Sequence, residues 1–313
     1  MTERRRSGRS SARGRSRPGR RRALVVIGVF ALAAVLAAAS FAAVSSGAGS
    51  SRHDVGSRAA PNVDPTPATD PPTTAPPPPT NLPPWPDRAP VVASGPRDRS
   101  SVALTFDSNL TDAMIQELNS GRVASFANVA VLDELDRLQV PATIFLAGKW
   151  MERYPDLTRR IAADPLFEVA SHSYSHRAFH QPCYGLGTLP AAQMADDVRH
   201  SEALLRLFST RATPYFRFPG GCYDDAALRA VAPTGVTVVQ YDVASGDAFG
   251  TSVRAIVSNT LASSRNGSII VMHITGGNTA PLTAQAVPFV VNGLRQRGFR
   301  LVKLSDLLAP AGG

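Results

Sequence analysis

Short apolar runs alternate with helix-like stretches between residues 98 and 313, and this alternation restricts the fold more than any other feature. The runs are rich in Val, Ile, Leu, Phe and Thr, as buried strands are. They are residues 102–106, 143–146, 167–170, 215–218, 236–241, 268–272 and 299–302. Helices are predicted at residues 128–138, 191–208, 224–231, 252–263 and 283–297. This pattern predicts parallel β/α units, arranged as a barrel or as an open sheet.

Polar side chains that can do chemistry follow five of the predicted strands. In parallel β/α folds, functional residues collect at the C-terminal ends of the strands. The candidates, in chain order, are Asp107, His172, His176, Arg217, Asp242, Asp247 and His273. Any one of these residues alone has a structural explanation. Their repeated position after strands favours a catalytic site at one rim of the sheet.

Two of these candidates, His172 and His176, lie four residues apart in the sequence SHSYSH. On a helical turn, this spacing places both rings on one side, where two nitrogen atoms can hold one metal ion. Taken alone, the pair is more often two exposed or hydrogen-bonded histidines on a loop. The neighbouring candidates shift the interpretation towards a metal site.

The basic charge of the chain is confined to its first 22 residues. The whole chain has 33 basic and 24 acidic residues, a net charge of +9, and ten of the arginines lie in residues 1–22 with a single glutamate. The remainder is therefore neutral. The high isoelectric point reflects a basic cytoplasmic tail, and we expect no nucleic-acid partner.

Residues 23–44 are uncharged and rich in Ala, Val and Leu. As a helix they would extend about 33 Å, enough to cross a bilayer core, and the flanking arginines place the N-terminus in the cytoplasm. The run is longer than the apolar region of most signal peptides, so we favour a retained anchor in the cell membrane over a cleaved signal and a secreted protein. In both cases the rest of the chain is exported.

Residues 45–97 are predicted to be a disordered linker, since 13 of the 26 prolines lie between residues 61 and 90. It would connect the anchor to a catalytic domain at residues 98–313. The only cysteines, Cys183 and Cys222, both lie in that domain. In an oxidising compartment they are a candidate disulfide, and two unpaired thiols are the alternative.

Five ordered motifs between about residues 100 and 308 resemble the NodB-type polysaccharide deacetylases, carbohydrate esterase family 4. They are TFD at residues 105–107, HSYSH at 172–176, RFPG at 217–220, DAF at 247–249 and VMH at 271–273. The resemblance implies a distorted (β/α)7 barrel and hydrolysis of N-acetyl groups from amino sugars. It also implies a divalent metal ion, with zinc as the first candidate and cobalt or manganese as others.

The resemblance also implies a role for each motif residue. His172 and His176 would ligate the metal, and Asp107 would be the general base, oriented by Arg217. His273 would be the general acid that protonates the departing amine, with Asp247 as its orienting partner. The backbone N–H of Gly220 would contact the oxyanion.

One position departs from the family pattern. Ser108 stands where the family has a second aspartate that ligates the metal, and Asn109 follows it. Neither residue carries a negative charge. Three explanations are open: Asn109 ligates through its amide oxygen, another carboxylate substitutes, or the metal binds weakly or not at all. The segment at residues 110–128 is interpreted as an insertion that shapes the cleft.

The sequence therefore predicts a membrane-tethered hydrolase that acts on N-acetylated glycans of the cell envelope, with peptidoglycan as the first candidate and chitin-like polymers as others. A catalytically silent glycan-binding domain is the alternative, because Ser108 weakens the metal site. A third hypothesis is hydrolysis of a non-sugar amide or ester. Serine-nucleophile chemistry is disfavoured, since the chain has no G-x-S-x-G motif. The oligomeric state is not predicted.

Overall fold

The computed structural model describes residues 86–310. The predicted tail, the predicted membrane span at residues 23–44 and the linker up to residue 85 lie outside this range. Among the helices of residues 86–310, none is long and apolar enough to cross a membrane.

Every strand pair in the sheet of the described part is parallel. The strands are β1 (Val91–Val92), β2 (Ser101–Asp107), β3 (Ala142–Leu146), β4 (Phe167–Ser171), β5 (Tyr215–Phe216), β6 (Thr237–Val239), β7 (Val243–Ala244), β8 (Ile269–His273) and β9 (Arg300–Leu301). Seven of them lie on the seven apolar runs of the sequence. The two additional strands, β1 and β7, have two residues each.

Helices cover the outside of this sheet. They are α1 (Asp112–Asn119), α2 (Val129–Arg137), α3 (Gly148–Arg153), α4 (Pro155–Ala163), α5 (Ala191–Phe208), α6 (Asp225–Val231), α7 (Val253–Ser263), α8 (Thr283–Gln296) and α9 (Leu304–Leu308). Five coincide with the predicted helices. Helix α1 lies in the segment that was interpreted as an insertion, and it begins after Thr111, whose hydroxyl accepts a hydrogen bond from the backbone N–H of Met114.

The sheet is curled. Its strand order is β1-β6-β5-β4-β3-β2-β8-β7, and β9 pairs with β2. Just beyond β1, Ser94 forms an antiparallel bridge with Ser268, and the N–H of Gly95 donates to the carbonyl of Gly267 at 2.8 Å. These contacts bring the β1 edge back towards β8. The result is a curled parallel half-barrel, as expected for a NodB-type β/α fold.

The sheet begins before the predicted domain boundary at residue 98. Strand β1 lies inside the predicted linker and pairs with β6, with Val91 opposite Val238 and Val92 opposite Val239. Two valines provide a strand too short to produce a recognisable pattern among the prolines. The linker prediction therefore extended too far towards the C-terminus.

The side chains of β2 alternate between the two faces of the curled sheet, as strand geometry requires. Val102, Leu104 and Phe106 belong to the apolar cluster shared with α2 and α8. Ala103 belongs to a different apolar cluster, with Phe145 of β3. Thr105 and Asp107 follow Ala103 at intervals of two residues, so they point to that same inner face. The catalytic candidate is thus placed inside the curl by the strand itself.

Candidate active site

A cavity of about 350 Å3 opens at the C-terminal ends of the parallel strands. Its walls combine polar side chains with apolar and aromatic ones. The wall residues include Asp107, Asn109, Met114, His172, His176, Tyr184, Gly220, Tyr241, Asp247, Phe249 and His273. Every sequence candidate except Ser108, Arg217, Asp242 and the two cysteines lines this cavity.

Asp107 and Arg217 form a buried ion pair beside the cavity. Arg217 Nη1 lies 2.7 Å from Asp107 Oδ1 and 2.9 Å from Thr105 Oγ1, and its Nε donates to the carbonyl of Val239 at 3.1 Å. The guanidinium carbon also lies 4.0 Å from the centre of the Phe145 ring. Arg217 therefore fixes the carboxylate by occupying Oδ1, and Oδ2 is left on the side of His172.

The histidine motif is a loop and not the helical turn suggested by its spacing. Ser173 and His176 have φ angles of 66° and 52°, in the left-handed region, where a right-handed helix cannot continue. The Ser173 hydroxyl accepts from the N–H of His176 at 3.0 Å. The loop nevertheless brings the two rings together, with centroids 5.1 Å apart.

Asp197 of α5 anchors this loop. Its Oδ1 accepts from the N–H of Tyr174 at 2.8 Å, and its Oδ2 accepts from the N–H of Ser175 at 3.1 Å. The Tyr174 ring stacks on His200 at 3.9 Å between centroids. Two backbone donors that a short irregular loop would otherwise leave unpaired are thus satisfied by one carboxylate.

His172 presents one free ring nitrogen to the cavity. Its Nδ1 lies 2.9 Å from the carbonyl oxygen of Arg217, so Nδ1 carries the proton and donates it. Its Nε2 lies 3.8 Å from Asp107 Oδ2. Burial lowers the pKa of the His172 imidazole, and the Asp107 carboxylate offsets only part of this effect. The neutral ring that results is the form that ligates a cation.

His176 is buried, and both of its ring nitrogens lack a hydrogen-bond partner among the described residues. Burial, assisted by the neighbouring His172 and His273, places the pKa of His176 well below its usual value. A buried imidazole with two unpaired nitrogens is costly unless something binds it.

Ser108 and Asn109 face in opposite directions. The Ser108 hydroxyl points away from the cavity and accepts from the N–H of Ala147 at 3.0 Å. Asn109 lines the cavity, and its buried Oδ1 has no partner in the described part of the chain. Strand alternation explains this difference, because the residue after inward-facing Asp107 turns outward and the next one returns. Ser108 therefore does not line the cavity, whereas Asn109 does.

The side chains present fit a metal ion in spite of the missing aspartate. Within residues 86–310, no three His, Cys, Asp or Glu side chains cluster closely enough to hold a metal by themselves. However, the unpaired atoms of His176 and Asn109 and the free Nε2 of His172 border the same cavity. Two imidazole nitrogens and one amide oxygen are chemically suitable ligands for zinc or a similar divalent ion.

Asp247 and His273 form a hydrogen-bonded pair on another wall, and both carboxylate oxygens of Asp247 have partners. Asp247 Oδ1 lies 2.9 Å from His273 Nδ1 and 2.9 Å from Ser245 Oγ, and its Oδ2 accepts from the His273 N–H at 2.8 Å and from Thr283 Oγ1 at 2.6 Å. His273 is the register partner of Asp107 on the neighbouring strand. The pair thus faces the Asp107 carboxylate from the next strand.

The pair has complementary pKa shifts. Burial alone would lower the pKa of His273, but the charge and hydrogen bond of Asp247 outweigh it and raise that pKa above its usual value. Burial likewise would raise the pKa of Asp247, but His273 and the two hydroxyls outweigh it, so this pKa is lowered. The arrangement favours a protonated imidazole next to an ionised carboxylate.

Cys183 and Cys222 are joined in a disulfide, and Gly220 lies against it. A Cβ atom added to Gly220 would lie 2.7 Å from Cys183 Sγ, so this position is restricted to glycine. Asp242 lies away from the cavity, where it binds Arg97 and the N–H of Ile269. Asp242 is thus the strand-end carboxylate that does not join the site.

Sequence reasoning assigned no role to four residues that hold the site. Thr105, Ser245 and Thr283 bind the charged side chains, and Asp197 binds the histidine loop. Thr283 is the first residue of a predicted helix, which only weakly suggests a role for it. Asp197 is one of several acidic residues in α5, and nothing in the sequence distinguishes it from the others. The sequence favours a packing role for Phe249, but this side chain is 71% exposed at the cavity.

Comparison with known proteins identifies the class. Residues 94–239 match the family model for polysaccharide deacetylase. A peptidoglycan-N-acetylglucosamine deacetylase of Bacillus cereus is 27% identical over 223 residues, which cover 71% of this chain and 74% of the relative. A chitooligosaccharide deacetylase of a Bradyrhizobium species is 29% identical over 193 residues, which cover 58% of this chain and 84% of the relative.

A solved structure agrees. The crystal structure of a peptidoglycan N-acetylglucosamine deacetylase in complex with 4-naphthalen-1-yl-N-oxidanyl-benzamide has a TM-score of 0.59 and 26% sequence identity, over 71% of this chain and 94% of that chain. Residues 94–239 therefore match the class of the polysaccharide deacetylases. The resemblance of the five motifs to the NodB-type family of that class, carbohydrate esterase family 4, is confirmed.

Proposed function

We propose that this protein hydrolyses N-acetyl groups from amino-sugar polymers of the cell envelope, with the help of a divalent metal ion. The observation that carries the proposal is the convergence of three elements on one cavity. They are a carboxylate fixed by a buried arginine, an imidazole with a raised pKa, and a set of unpaired ligand atoms. Metal-assisted hydrolysis of an amide uses a general base, a general acid and a Lewis acid that polarises the carbonyl.

Asp107 is the proposed general base. Its Oδ1 is held by Arg217, so Oδ2 is the oxygen available to take a proton from the attacking water. A positioned base of this type contributes roughly 10²- to 10⁴-fold to a rate. Arg217 acts through Asp107 and is therefore a positioning residue.

His273 is the proposed general acid. The nitrogen of a departing sugar amine must be protonated before it leaves, and the Nε2–H of a protonated His273 can supply that proton. Asp247 holds the opposite nitrogen, Nδ1, and thus fixes both the orientation of the ring and its charge. The backbone N–H of Gly220, at the cavity wall, remains our candidate for contact with the developing oxyanion.

His172, His176 and Asn109 would hold the metal ion, with zinc as the first candidate and cobalt or manganese as others. When bound, the ion supplies Lewis acidity that polarises the amide carbonyl. His172 is oriented for this task by the carbonyl of Arg217, which also connects the ligand set to the base.

Peptidoglycan is the proposed substrate, and chitin-like oligomers are the next candidate. Two observations support this choice: relatives that share the family act on these N-acetylated glycans, and the sequence of residues 23–44 favours a single-pass membrane anchor. An anchored catalytic domain on a long linker would act on a polymer fixed nearby. No nucleic-acid partner is proposed.

Acetate release tests this function. The full-length protein should release acetate from N-acetylglucosamine oligomers or from peptidoglycan, and comparison of the two rates identifies the preferred polymer. The uncharged Ser108, at the position where the family has an acidic ligand, supports a second candidate function, that of a silent glycan-binding domain. Binding of both glycans with no acetate released from either would favour that second function.

A further inference from the structure

Two exposed aromatic rings lie side by side at the cavity rim. Tyr184 is 68% exposed and Phe249 is 71% exposed, whereas a large aromatic side chain is usually mostly buried. Their ring centroids are 5.3 Å apart, with 34° between the planes, and both residues line the cavity that contains Asp107. They therefore form one continuous apolar surface, and such surfaces commonly mark binding sites.

The Tyr184 ring stands on a segment that is held in place. The preceding residue, Cys183, is disulfide-bonded to Cys222, beside the Gly220 turn. The same segment is closed by hydrogen bonds from the N–H of Ala178 to the carbonyl of Gly187 at 2.9 Å, and from the N–H of Leu189 to the carbonyl of Ala178 at 2.8 Å. An exposed ring on a fixed segment loses little conformational entropy when a ligand binds.

The backbone of Tyr184 has a φ of 47°, which is uncommon for a bulky residue. Such conformations persist where the surrounding structure imposes them, and they concentrate at functional sites. A glycine at this position would remove the strain. The presence of an exposed tyrosine instead indicates that the ring itself is useful.

The size of the cavity indicates what the rings contact. A cavity of about 350 Å3 is at the small end of the range for ligand sites, so it accommodates about one sugar unit with its acetyl group. Neighbouring units of a polymer must then lie over the rim. A pyranose ring with equatorial hydroxyls has an apolar C–H face, which suits the electron-rich face of an aromatic ring.

We propose that Tyr184 and Phe249 form a stacking subsite for the pyranose unit next to the unit that reacts, and that the disulfide Cys183–Cys222 positions the Tyr184 side of it. The identity of the reacting unit rests on the proposed function. The subsite makes the protein favour oligomers over single N-acetyl sugars, because only an oligomer contacts the cavity and the rim together.

The test compares binding of the N-acetylglucosamine tetramer and of the monosaccharide by calorimetry, without added metal, so that no turnover is needed. Tyr184→Ala and Phe249→Ala should each weaken binding of the tetramer roughly five- to tenfold, while Tyr184→Phe retains it. The double variant Cys183→Ser with Cys222→Ser should weaken it severalfold. Leu207→Ala, which removes an exposed side chain of α5, is the matched control and should bind as the wild type does.

Equal tetramer binding by wild type and by both alanine variants would overturn the subsite, and so would no preference for tetramer over monosaccharide. Unchanged binding by the double serine variant would overturn the role of the disulfide. Acetate release is measured separately with metal present. If acetate release fails but the tetramer binding differences are found, the proposed function is wrong and the subsite stands.

Discussion

The two polar sides of the cavity are built in opposite ways. On the side of Asp247 and His273, both carboxylate oxygens are hydrogen-bonded, and the imidazole has a partner within the protein. On the side of His176 and Asn109, buried ligand atoms have no partner among the described residues. The first side is complete in the protein alone, and the second gains its missing contacts only when an ion or another ligand binds.

This contrast indicates where stability and where function are concentrated. Paired buried polar groups stabilise a fold, whereas unpaired ones destabilise it until a ligand binds to them. The side that contains Asp247 and His273 should therefore be rigid before the substrate binds. The side that contains His176 and Asn109 should be stabilised by a bound ligand, because a ligand that binds only the folded protein raises the free energy of unfolding.

The largest effect is expected for Asp107, which lies beside His172 and is the register partner of His273. Asp107→Asn should reduce acetate release by at least about 10²- to 10⁴-fold, because the base is lost. It should also destabilise the fold by roughly 3–5 kcal/mol, since buried Arg217 loses its counter-charge. Both are measured on one preparation, by acetate assay and by denaturant titration. Asp196→Asn, at an exposed position of α5, is the control, and full activity of Asp107→Asn would remove the proposed base.

The second prediction concerns the proposed metal ligands His172 and His176. His172→Ala combined with His176→Ala should reduce bound zinc to background, because both nitrogen ligands are removed. Elemental analysis after dialysis measures this content. His180→Ala, which removes an exposed histidine that contacts Asp224 and does not line the cavity, should retain the metal. Metal content that is unchanged in the double variant would place the metal elsewhere.

The third prediction concerns Asp247 and His273. It gives the direction in which kcat and stability change with pH. His273 must be protonated to act as an acid, so kcat should fall as pH rises through its raised pKa, above the usual value of about 6.5. The stability that the pair contributes is likewise present below that usual value and is lost as pH rises through the raised pKa.

Asp247→Asn removes the charge that raises the pKa of His273. The alkaline limb of the kcat profile should then move to lower pH, and kcat at pH 8 should fall roughly tenfold or more. A pH series of kcat for both proteins measures the shift. An alkaline limb at the same pH in both proteins would show that another group provides the acid.

The fourth prediction separates two neighbouring residues. Asn109→Ala should weaken metal binding roughly tenfold, as the loss of one neutral oxygen ligand predicts, and Asn109→Asp should strengthen it by adding a charge. Ser108→Ala should leave the affinity unchanged, because its hydroxyl is bound to Ala147 outside the cavity. Competition titration with a chelating dye measures all three. Stronger dependence on Ser108 than on Asn109 would reverse our assignment.

The smallest effect tests the contrast itself, in metal-free buffer. Thr283→Val should lower the free energy of unfolding by roughly 1–3 kcal/mol, because Asp247 loses a buried donor. His176→Leu should leave it unchanged or raise it, since no hydrogen bond is lost. Denaturant titration of both variants provides the comparison, and equal destabilisation would show that the two sides are not built differently.

The fold could be predicted from sequence largely because each strand carries its own signal. Apolar runs such as residues 102–106 are local patterns, and they located seven strands. Strand β1 was missed because two residues give no pattern. The helices α1, α3, α4 and α9 were also missed, although α4 is as long as α2, which was predicted. Their positions depend on pairing and packing with segments distant in the chain.

The site was predictable where its residues follow strands and less so where it depends on loops. Asp107 and His273 come together because strand register determines their positions. The spacing of His172 and His176 suggested a helical turn, but the left-handed backbone at Ser173 and the contacts from Asp197 determine the actual loop. Neither feature appears in the motif. The disulfide could not be predicted firmly, since cysteine count alone does not give the distance between two side chains.

The central claim is that the unpaired side-chain atoms of His176 and Asn109 are ligands of a catalytic metal ion. The most direct measurement is acetate release from N-acetylglucosamine oligomers by the full-length protein, before and after removal of metal by a chelator, and again after zinc, cobalt or manganese is added. We predict activity that is lost with the chelator and restored by at least one of these ions, and no restoration in the His172→Ala, His176→Ala double variant. Undiminished acetate release from the chelated wild type would contradict the claim.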